Sequence, residues 1–416
     1  MEYGLIGEHL GHSFSKDIHG QIADYEYELK EIAKEDIDAF MKAKDFKGIN
    51  VTIPYKQTVI PYLDYIDDNA KAIGAVNCIV NNNGVLTGYN TDFDGMRALI
   101  LRNDLDLKDK KVLVLGTGGT SHTANAVAKS LGAKDIYTVS RKAGENVITY
   151  DEAVKEHCDT NVIINTTPVG MYPNTNGSPI DIGAFKNLEG VIDAIFNPLR
   201  TDLVMSALNT SLKSEGGLYM LVVQAVCAAE HFLNKTIDSN ISDRIYKNLL
   251  SSKENIVLVG MPGSGKSAVS RKLSELTGKE VVDTDTLIVK KSGMEITDIF
   301  SKYGEDYFRN LETEVIGETS QRSGIIISTG GGAVLRNENV RLLKKNGKVF
   351  FIDRPLKDLL PTSDRPLANS AEKITALYET RYPIYLSSAD KIINVTGDVK
   401  QVADSILEIC NEDKGN

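Results

Sequence analysis

Short runs of β-branched and other apolar residues alternate along the first part of the chain with stretches whose apolar residues recur at helical spacing. YGLIG and FKGINVTIP are strand-like, and the amphipathic EDIDAFMKAK between them is helix-like. From Lys110 the order becomes regular, with KVLVLG, a glycine turn, the helix-like TANAVAKSLG and the strand-like DIYTVSRK. This alternation predicts a largely parallel sheet, with a βαβ crossover of the dinucleotide-binding type from Lys110.

The pattern restarts in the second part of the chain. A strongly apolar helix is predicted at about 218–232, a polar stretch follows, and the strand-like NIVLVG then begins a fresh nucleotide-binding fold. We therefore expect an α/β protein of several domains, as its length of 416 residues also favours. The predicted parts are an α/β domain at 1–95 completed by about 216–245, a Rossmann domain at 96–215, a linker at 246–254, and a P-loop domain with a parallel sheet at 255–412.

Composition narrows the class of protein. A hydrophobic content of 42% and a charged content of 25% are those of a soluble globular protein, and the net charge of -10 gives no general attraction to nucleic acid or anionic lipid. No apolar run is long enough to cross a bilayer, and the first residues do not have the pattern of a signal peptide. The four cysteines fit a reducing compartment, so we expect a cytoplasmic protein. They are Cys78, Cys158, Cys227 and Cys410.

Two glycine loops of different design carry the first chemical signal. Each follows a strand-like run and leads into a helical pattern, which is the context of a phosphate site at a helix N-terminus. The loop LGTGGTSHTA has Gly116, Gly118 and Gly119 but Ser121 at the third small position. The loop VGMPGSGKSA is a complete P-loop. The chain is therefore expected to bind two nucleotides.

In the P-loop, backbone amides would surround the phosphates of ATP, Lys266 would bridge the outer phosphates, and the Ser267 hydroxyl would ligate Mg²⁺. The expected nucleotide contacts are Gly260, Gly263, Ser264, Gly265, Lys266, Ser267 and Ala268. A GTPase, a general ATPase and a small-molecule kinase are all compatible with the loop alone.

The strand-like VVDTDT places Asp283 and Asp285 on the same side of an extended chain, where one carboxylate can hold Mg²⁺ and the other face an acceptor hydroxyl. An acidic turn at the end of a strand is the alternative.

Further cations and glycines follow the P-loop. Arg309, Arg365 and Arg381 suit a carboxylate acceptor and a transferring phosphoryl group, and Gly330, Gly331 and Gly332 allow backbone amides to approach a ligand. Together with the P-loop and the two aspartates, this set resembles shikimate kinase over about residues 254–412.

The kinase resemblance implies a role for each matching residue. Asp285, Arg309, Arg381 and the glycine triplet, Gly331 and Gly332 in particular, are expected to bind shikimate. Lys266 and Arg365 would stabilise the phosphoryl group, and Ser267 and Asp283 would handle Mg²⁺. The sequence departs from the family near Pro361, where an arginine that packs on adenine is common.

Two cations, Arg141 and Lys142, follow the second strand of the Rossmann unit, where an NAD-selective fold usually has an acidic residue. They favour NADP, with a solvated basic turn as the alternative.

Upstream, Lys56 and Asp92 are a pair that can polarise a carbonyl and transfer a proton. From spacing alone, a surface ion pair is the more common explanation of such residues.

The whole set of motifs in residues 1 to about 245 resembles shikimate dehydrogenase. The motifs are GLIGEHLGHSFSKDIH, NVTIPYK, GAVNC, NTDFDG, LGTGGTS, INTTPVGM, FNPLRTDL and GGLYMLVVQA. The resemblance implies that Lys56 and Asp92 are the catalytic pair. It implies that shikimate is bound by Ser13, Ser15, Asn50, Thr52, Asn77, Asn90 and Gln224. We expect NADP(H) to contact Gly116, Gly118, Gly119, Thr120, Ser140, Arg141, Lys142, Asn165, Thr166, Met171 and Gly217, with Asn165, Thr166 and Met171 on the nicotinamide side.

Two departures from the dehydrogenase pattern are visible. Cys78 stands where threonine is usual, and Phe196 stands where tyrosine is frequent, which removes a hydroxyl from near the substrate. His9, His12 and His19 cluster in the first motif, but without acidic or cysteine ligands at a recognisable spacing we expect polar loop and helix-start groups and not a metal site.

The two resemblances describe consecutive steps. They imply NADPH-dependent reduction of 3-dehydroshikimate to shikimate, followed by ATP-dependent, Mg²⁺-assisted phosphorylation of shikimate at O3, in the biosynthesis of chorismate and aromatic amino acids. Two alternatives stay open. One is an NAD-linked quinate/shikimate dehydrogenase joined to a kinase of another hydroxy acid, and the other is a metabolite sensor in which one half has lost turnover.

Overall fold

The computed structural model describes residues 1–11, 13–359 and 370–412. Within it the chain forms two compact units, Met1–Tyr246 and Lys247–Asn416. Each unit buries its own apolar clusters between helices and sheets, so each is described by itself.

The first unit begins with a six-stranded sheet built from the short apolar runs of the sequence. Helices α1 (Ser15–Ile22), α2 (Ile37–Ala43) and α3 (Asp68–Ile73) lie between its strands along the chain. The strand order is β2-β1-β3-β5-β6-β4. The strands are β1 (Tyr3–Gly7), β2 (Tyr27–Glu31), β3 (Gly48–Val51), β4 (Tyr65–Ile66), β5 (Cys78–Asn82) and β6 (Val85–Tyr89).

This sheet is less parallel than the alternation of elements predicts, because β5 and β6 form a hairpin. The pairings of β3 with β5 and of β5 with β6 are antiparallel, whereas β1 pairs in parallel with β2 and β3, and β4 with β6. The hairpin turns at Asn83 and Gly84, which both have positive φ angles of 54° and 92°. An Asn-Gly pair between two apolar runs is a strong hairpin signal, and it marks this departure in the sequence.

The second sheet of the first unit is entirely parallel, in the order β12-β11-β10-β7-β8-β9. This is the strand order of a dinucleotide-binding fold, with β7 and β10 on either side of the point where the order reverses. Its strands are β7 (Lys111–Leu115), β8 (Asp135–Ser140), β9 (Val147–Thr149), β10 (Val162–Asn165), β11 (Gly190–Asp193) and β12 (Lys213–Glu215). Helices α4 (Thr91–Arg102), α5 (Gly119–Ser130), α6 (Tyr150–Glu156) and α7 (Asp202–Asn209) accompany it.

Helix α8 (Leu218–Leu233) packs against α4 and supports both sheets of the first unit. Met220 near its start joins the apolar cluster under the second sheet, and Phe232 near its end joins the cluster under the first. The helices are close enough that a Cβ at Gly95 would lie 2.5 Å from the Met220 carbonyl oxygen. Burial on several sides explains why this helix is apolar around most of its circumference.

The second unit contains one parallel five-stranded sheet in the order β14-β15-β13-β16-β17. Apolar clusters cover its two faces. The strands are β13 (Asn255–Val259), β14 (Val281–Asp283), β15 (Ile326–Ser328), β16 (Gly347–Asp353) and β17 (Lys391–Asn394). The helices are α10 (Lys266–Thr277), α11 (Thr284–Ser292), α12 (Ile296–Ser320), α13 (Asn337–Asn346), α14 (Ala371–Ser388) and α15 (Val399–Glu412).

The segment expected as a linker at 246–254 is mostly helical. Helix α9 (Ile241–Lys253) runs through it, and β13 begins two residues after the helix ends. Its residues Ile245 and Leu249 are buried, so the helix packs through apolar side chains although the stretch is polar on average. Short 3-10 turns occur at Ile60–Tyr62, Ile182–Ala184, Ala333–Leu335 and Leu356–Asp358.

Among the described residues, no helix combines the length and the apolar character needed to cross a bilayer.

Gly48 provides a test of the packing between β3 and α8. A Cβ at Gly48 would lie 2.3 Å from the Phe232 ring, which is itself held in a cluster. We expect Gly48→Ala to destabilise the first unit by about 1–3 kcal/mol, because overpacking forces side chains out of their rotamers. Urea unfolding followed by circular dichroism measures the change.

Gly20→Ala is the matched control, since a Cβ at this exposed helical position meets no atom within 4 Å. Replacing glycine with alanine inside a helix should leave stability unchanged or raise it by up to about 1 kcal/mol. Equal effects of the two substitutions would contradict the packing described for Gly48.

Candidate active sites

Lys56 and Asp92 meet in the first unit although 36 positions separate them. The Lys56 Nζ donates to Asp92 Oδ2 at 2.6 Å, and both side chains are partly exposed, at 24% and 14%. Lys56 lies in the turn after β3, and Asp92 lies in the first turn of α4. The pair is thus held together but open to solvent on one side, which suits a group that exchanges a proton with a bound substrate.

The strand ends around this pair lie at one edge of the first sheet. The backbone N–H of Val51 donates to the Asn77 carbonyl at 2.8 Å, and that of Asn77 to the Tyr89 carbonyl at 3.0 Å. Thr52 follows β3, Asn77 precedes β5 and Asn90 follows β6, so the hairpin brings three of the expected shikimate ligands side by side. Antiparallel pairing achieves this because the start of one strand meets the end of its neighbour.

Asn90 is the amide whose oxygen stays available. It is buried, its Nδ2 donates to the Ala75 carbonyl at 2.9 Å, and its Oδ1 has no hydrogen-bond partner in the described part of the chain. A buried acceptor without a partner is costly, and a substrate hydroxyl would satisfy it.

Asn50 and Asn77 are held more tightly than the sequence suggests. Tyr27 Oη donates to Asn50 Oδ1 at 2.7 Å, and Asn50 Nδ2 donates to the Asn77 carbonyl at 3.2 Å. The Asn77 side chain in turn accepts from the Thr91 N–H at 2.7 Å. These buried hydrogen bonds fix the orientation of both side-chain amides, and so the direction of any further hydrogen bond that they make.

Tyr27 itself is positioned by a buried histidine. The rings of His19 and Tyr27 are stacked, with centroids 3.8 Å apart and planes 8° apart, and His19 Nδ1 lies 2.5 Å from Tyr25 Oη. Burial lowers the pKa of His19 to about 3, so the ring is neutral. Among the described residues no group of three or more acidic, histidine or cysteine side chains could hold a metal ion. His12 of the same motif lies outside the described residues.

The remaining expected substrate residues come from three elements. Ser13 precedes α1 and accepts through Oγ from the Ser15 N–H at 3.2 Å, and Ser15 begins the helix in a buried position. Gln224 lies on α8, where its Nε2 donates to the Leu221 carbonyl at 3.0 Å. Its side chain also lies 3.3 Å from where a Cβ of Gly95 would be, beside α4.

The two departures from the dehydrogenase pattern are accommodated differently. Phe196 packs on Phe14, with ring centroids 5.6 Å apart, so an aromatic contact beside α1 stands at the position where the family often has a tyrosine. Cys78 is fully buried among apolar side chains, and its burial raises the pKa of the thiol. Cys78 therefore acts as a small apolar residue in the core.

The first glycine loop has the shape of a phosphate cradle. Gly116 has a φ of 108°, and a Cβ there would lie 2.9 Å from Thr166 Oγ1, so only glycine fits. Gly118 is the N-cap of α5, whose first turn contains no acidic residue. Thr166 donates through Oγ1 to the Leu115 carbonyl at 2.6 Å, which joins the ends of β7 and β10. Gly119 and Thr120 begin α5.

The cations expected to select NADP lie at the end of the neighbouring strand. Ser140 is the last residue of β8, and Arg141 and Lys142 follow it with exposed side chains. Met171 is also exposed, at 44%. Gly217 is the N-cap of α8, where a Cβ would lie 2.2 Å from the Ala194 carbonyl oxygen.

Asn165 lies inside the fold of the first unit. It is fully buried, its Nδ2 donates to Asp193 Oδ1 at 2.9 Å, and its Oδ1 accepts from the N–H and Oγ1 of Thr167. Thr201 donates to the second oxygen of Asp193 at 2.7 Å, and burial raises the pKa of Asp193 to about 6. The Asn165 side chain therefore supports the loop after β10 from inside, because Asp193 and Thr167 engage both ends of its amide.

The P-loop of the second unit links β13 to α10. Gly260, Gly263 and Gly265 have positive φ angles of 150°, 83° and 99°. Lys266 is the first residue of α10, and its Nζ donates to the carbonyls of Gly260 and Met261 at 2.8 and 3.0 Å. The loop thus turns its carbonyls toward the lysine and leaves its amides to the phosphate side.

A cavity of about 610 Å³ opens beside this loop. It is lined by residues from the ends of β13, β14 and β15 and from α12 and α14. They include Gly263, Gly265, Lys266, Ser267, Ala268, Asp283, Asp285, Arg309, Gly330, Gly331, Gly332 and Arg381.

The geometry expected for Asp283 and Asp285 is wrong, although both residues line the cavity. Asp283 ends β14 and is the N-cap of α11, accepting through Oδ1 from the Thr286 N–H at 3.1 Å. Asp285 therefore lies in the first helical turn and not on an extended chain. Aspartate is a strong N-cap because its carboxylate accepts from free amides at a helix start, and here that preference ends the strand at Asp283.

Arg309 is held by two carboxylates on its own helix. Its Nη1 donates to Glu312 Oε2 at 2.7 Å and its Nη2 to Glu305 Oε1 at 3.0 Å. Glu312 is fully buried, its burial raises the pKa of the carboxyl, and its Oε1 has no hydrogen-bond partner in the described part of the chain. A Cβ at Gly332 would lie 2.3 Å from the Arg309 guanidinium. The glycine is required because the arginine occupies that space.

Arg381 and Tyr385 act together on one peptide group. Arg381 Nη1 donates to the Gly331 carbonyl at 3.1 Å, and the buried Tyr385 hydroxyl donates to the same oxygen. Tyr385 stacks on Phe351 of β16 with centroids 5.0 Å apart, and burial raises its pKa to about 12, which keeps the hydroxyl a donor. Because a trans peptide points C=O and N–H in opposite directions, this fixes the Gly332 N–H away from α14.

Sequence reasoning missed Tyr27, Glu312 and Tyr385. A signal exists for Glu312, because residues three apart on a helix are neighbours. The two tyrosines have no local signal, since their partners are 23 and 54 positions away. Arg365 and Pro361, which the sequence places in the kinase site, lie outside the described residues.

The chain is similar to known proteins in both parts. The shikimate dehydrogenase substrate binding domain matches residues 5–79, and shikimate kinase matches residues 262–411. Shikimate dehydrogenase (NADP(+)) of Clostridium beijerinckii is 38% identical over 259 residues, covering 59% of this chain and 96% of that protein.

Two solved structures extend the comparison of the first part. Shikimate dehydrogenase 1 from Peptoclostridium difficile is 37% identical with a TM-score of 0.55, covering 60% of this chain and 98% of that chain. A chorismate mutase/shikimate 5-dehydrogenase fusion protein from Clostridium acetobutylicum is 37% identical with a TM-score of 0.56, covering 59% and 96%. Together with the matches above, these likenesses confirm both resemblances drawn from the sequence motifs.

Tyr27→Phe tests how Asn50 is positioned. The substitution keeps the ring stacked on His19 but leaves the buried Asn50 Oδ1 without its donor. One lost hydrogen bond is worth about 1 kcal/mol, so we expect the KM for shikimate oxidation to rise about 5-fold. Steady-state kinetics with NADP measures it. Tyr62→Phe removes a hydroxyl that donates to the exposed Asp38 and should leave this KM unchanged. The same KM for both variants would contradict the role of Tyr27.

Tyr385→Phe tests the orientation of the glycine triplet. Without the hydroxyl the Gly331–Gly332 peptide can rotate, so we expect the KM for shikimate in ATP-dependent phosphorylation to rise about 5-fold while the KM for ATP stays constant. The Tyr382 hydroxyl donates to Asp353, away from the triplet, which makes Tyr382→Phe the matched control. An equal rise in both KM values for Tyr385→Phe would indicate general loosening of the unit.

Proposed function

The chain belongs to the shikimate dehydrogenase family and carries a shikimate kinase domain after it, and on that premise we propose how its residues divide two consecutive reactions. The first part reduces 3-dehydroshikimate to shikimate with NADPH. The second phosphorylates shikimate to shikimate 3-phosphate with ATP. The protein is thus a bifunctional enzyme of chorismate and aromatic amino-acid biosynthesis.

The assignment of residues is supported by two groupings of the expected residues. Lys56 and Asp92 are 2.6 Å apart beside the amides expected to bind the hydroxyls of shikimate. In the second unit one cavity joins the P-loop to Asp285, Arg309 and Arg381. The limited exposure of Lys56 and Asp92, at 24% and 14%, and the position of Asp283 and Asp285 on the cavity wall favour these roles over a surface ion pair and an acidic turn.

Lys56 and Asp92 handle the proton of the reduction. The Lys56 Nζ donates to the oxygen of the C3 carbonyl as that oxygen becomes a hydroxyl, and Asp92 orients the lysine side chain through their hydrogen bond. Asn90 directs its free Oδ1 toward a substrate hydroxyl, and the rigid Asn50 and Asn77 disfavour analogues that lack one.

The residues around Gly116 fit NADP(H). A Cβ at Gly116 would close the turn against Thr166, the start of α5 offers amides without a competing acid, and Arg141 and Lys142 are exposed to take a 2′-phosphate. When bound, the cofactor supplies the hydride. The two cations favour NADP over NAD, because an acidic residue at this strand end would be needed for an unphosphorylated ribose.

In the second unit the chain acts by positioning and charge. Arg309 and Arg381 bind the carboxylate of shikimate, and Asp285 accepts from the C3 hydroxyl and orients it for in-line attack on the γ-phosphate. Lys266, together with Arg365, stabilises the transferring phosphoryl group.

Ser267 and Asp283 line the same cavity and present oxygen ligands, which fits Mg²⁺. Bound Mg²⁺ neutralises phosphate charge.

We propose a cytoplasmic location as well. Its support is that Cys78, Cys158 and Cys227 are free thiols, as expected in a reducing compartment.

The division of labour predicts that the two activities can be removed one at a time. Lys56→Ala should lower kcat for NADPH-dependent reduction of 3-dehydroshikimate at least about 100-fold and leave phosphorylation intact, since it removes the proton donor. Lys266→Ala should do the reverse, because it removes the cation on the outer phosphates. NADPH absorbance and a coupled ADP assay follow the two reactions in the same preparation.

Lys129→Ala and Lys290→Ala, at exposed helical lysines of the two units, are the controls and should leave both rates unchanged. Loss of both activities in either catalytic variant would contradict separate sites. Failure of the unaltered chain to form shikimate 3-phosphate from 3-dehydroshikimate, NADPH and ATP would overturn the proposed reaction sequence.

A further inference from the structure

Arg354 leaves the sheet of the second unit directly beside the P-loop. It follows β16, which pairs in parallel with β13 so that Phe351 lies opposite Val259. One residue further along both strands, a Cβ at Gly260 would lie 2.8 Å from the Ile352 carbonyl oxygen. The end of β16 and the start of the P-loop are therefore in close backbone contact, and Arg354 is the first cation beyond that contact.

The Arg354 side chain reaches the far end of the loop. Its Nε donates to the Ser264 carbonyl at 3.3 Å, and its Nη2 lies 3.5 Å from where a Cβ of Gly265 would be. The guanidinium is thus next to the two residues that precede Lys266. Arg354 and Lys266 both donate to carbonyls of this loop, and their charges flank the turn whose amides take the phosphates.

Arg354 carries its charge without a counter-ion in the part of the chain that the structure describes. It is half-buried, and its hydrogen bond there is to a neutral carbonyl. The neighbouring Asp353 carboxylate instead accepts from Tyr382 Oη at 2.9 Å. A partly desolvated guanidinium is stabilised by an anion, and phosphate matches its planar donors in two-point geometry.

The sheet order indicates which part of ATP this cation meets. Most residues expected to bind the acceptor, Asp285, Arg309 and the glycine triplet, follow β14 or β15, on one side of the central strand β13. The γ-phosphate must face them, so the nucleoside end of ATP extends to the opposite side, over β16 and β17. The segment after β17 lies there too, since the Val395 N–H donates to the Asp353 carbonyl at 2.9 Å.

We propose that Arg354 is a nucleotide-binding residue that contacts the α-phosphate of ATP on the nucleoside side of the P-loop. This rests on the proposed use of ATP by the second unit. On binding, the guanidinium exchanges its weak contact with the Ser264 carbonyl for a charge-assisted contact with phosphate. Arg354 then contacts the α-phosphate while Lys266 contacts the outer phosphates. Arg354 therefore contributes to the affinity for the nucleotide and not to the affinity for the acceptor.

Arg354→Gln in the full chain tests the proposal, with the Kd for ADP measured by isothermal titration calorimetry at low and high salt. We expect the Kd to rise about 10-fold at low salt, because a charge-assisted hydrogen bond is lost. We also expect a shallower dependence of the Kd on ionic strength, because one screened charge pair is missing. Arg354→Lys keeps the charge and should restore the salt dependence and part of the affinity.

Arg271→Gln is the matched control, since it removes the same charge from an exposed position on α10. It should leave the Kd for ADP unchanged, as should the KM for shikimate in Arg354→Gln. An ADP affinity within twofold of the unaltered chain in Arg354→Gln would overturn the proposal. So would a weakened affinity with unchanged salt dependence, which is the result for a residue that only braces the loop.

ADP binding separates this inference from the reaction on which it rests. If the unaltered chain binds ADP but does not phosphorylate shikimate, the proposed acceptor is wrong while the comparison of Arg354 variants still decides the role of Arg354. If the unaltered chain phosphorylates shikimate and Arg354→Gln binds ADP normally, the inference alone fails.

Discussion

Close backbone approach at the carboxyl ends of parallel strands is the constraint on which both sites depend. At Gly116 and at Gly260 a Cβ would collide with a neighbouring strand end, 2.9 Å from Thr166 Oγ1 in one case and 2.8 Å from the Ile352 carbonyl in the other. Each glycine lets the chain turn sharply from a strand into a helix, whose first amides are left to bind phosphate. Substrate residues can then be supplied by the adjacent strand ends, because parallel strands finish at the same edge.

The charged groups of the two sites are held before substrate arrives. Lys56 is paired with Asp92, and Arg309 is fixed by Glu305 and Glu312. The desolvation free energy of the ion pair is small at Lys56, which is partly exposed. It is larger at Arg309, because its partner Glu312 is fully buried. That arrangement keeps the guanidinium in the cavity against its tendency to move into solvent. Catalysis by positioning needs such preorganisation, since little reorganisation is left for the moment of reaction.

Buried hydrogen bonds fix the position of polar groups in both units. Tyr27 fixes Asn50, Asp193 fixes Asn165, and Tyr385 fixes the Gly331 carbonyl. In each case a buried group with few alternatives sets the direction of a group nearer to the ligand, so the specificity of the site depends on residues that do not touch the substrate. Joining two such units in one chain supplies the two activities in equal amounts, one forming the metabolite that the other consumes.

The sequence by itself determined the class of fold, the two nucleotide loops and the pairing of chemistries, because glycine spacing and apolar periodicity are local properties and the motifs are specific in combination. It predicted that Lys56 and Asp92 belong to one site and that Arg309 and Arg381 belong to a second site. Only the tertiary structure decided that Asn165 is buried against Asp193, that Tyr385 holds the Gly331 carbonyl and that Arg354 lies against the P-loop. Those features depend on contacts between residues far apart in sequence, and on burial, which selects among several locally acceptable conformations.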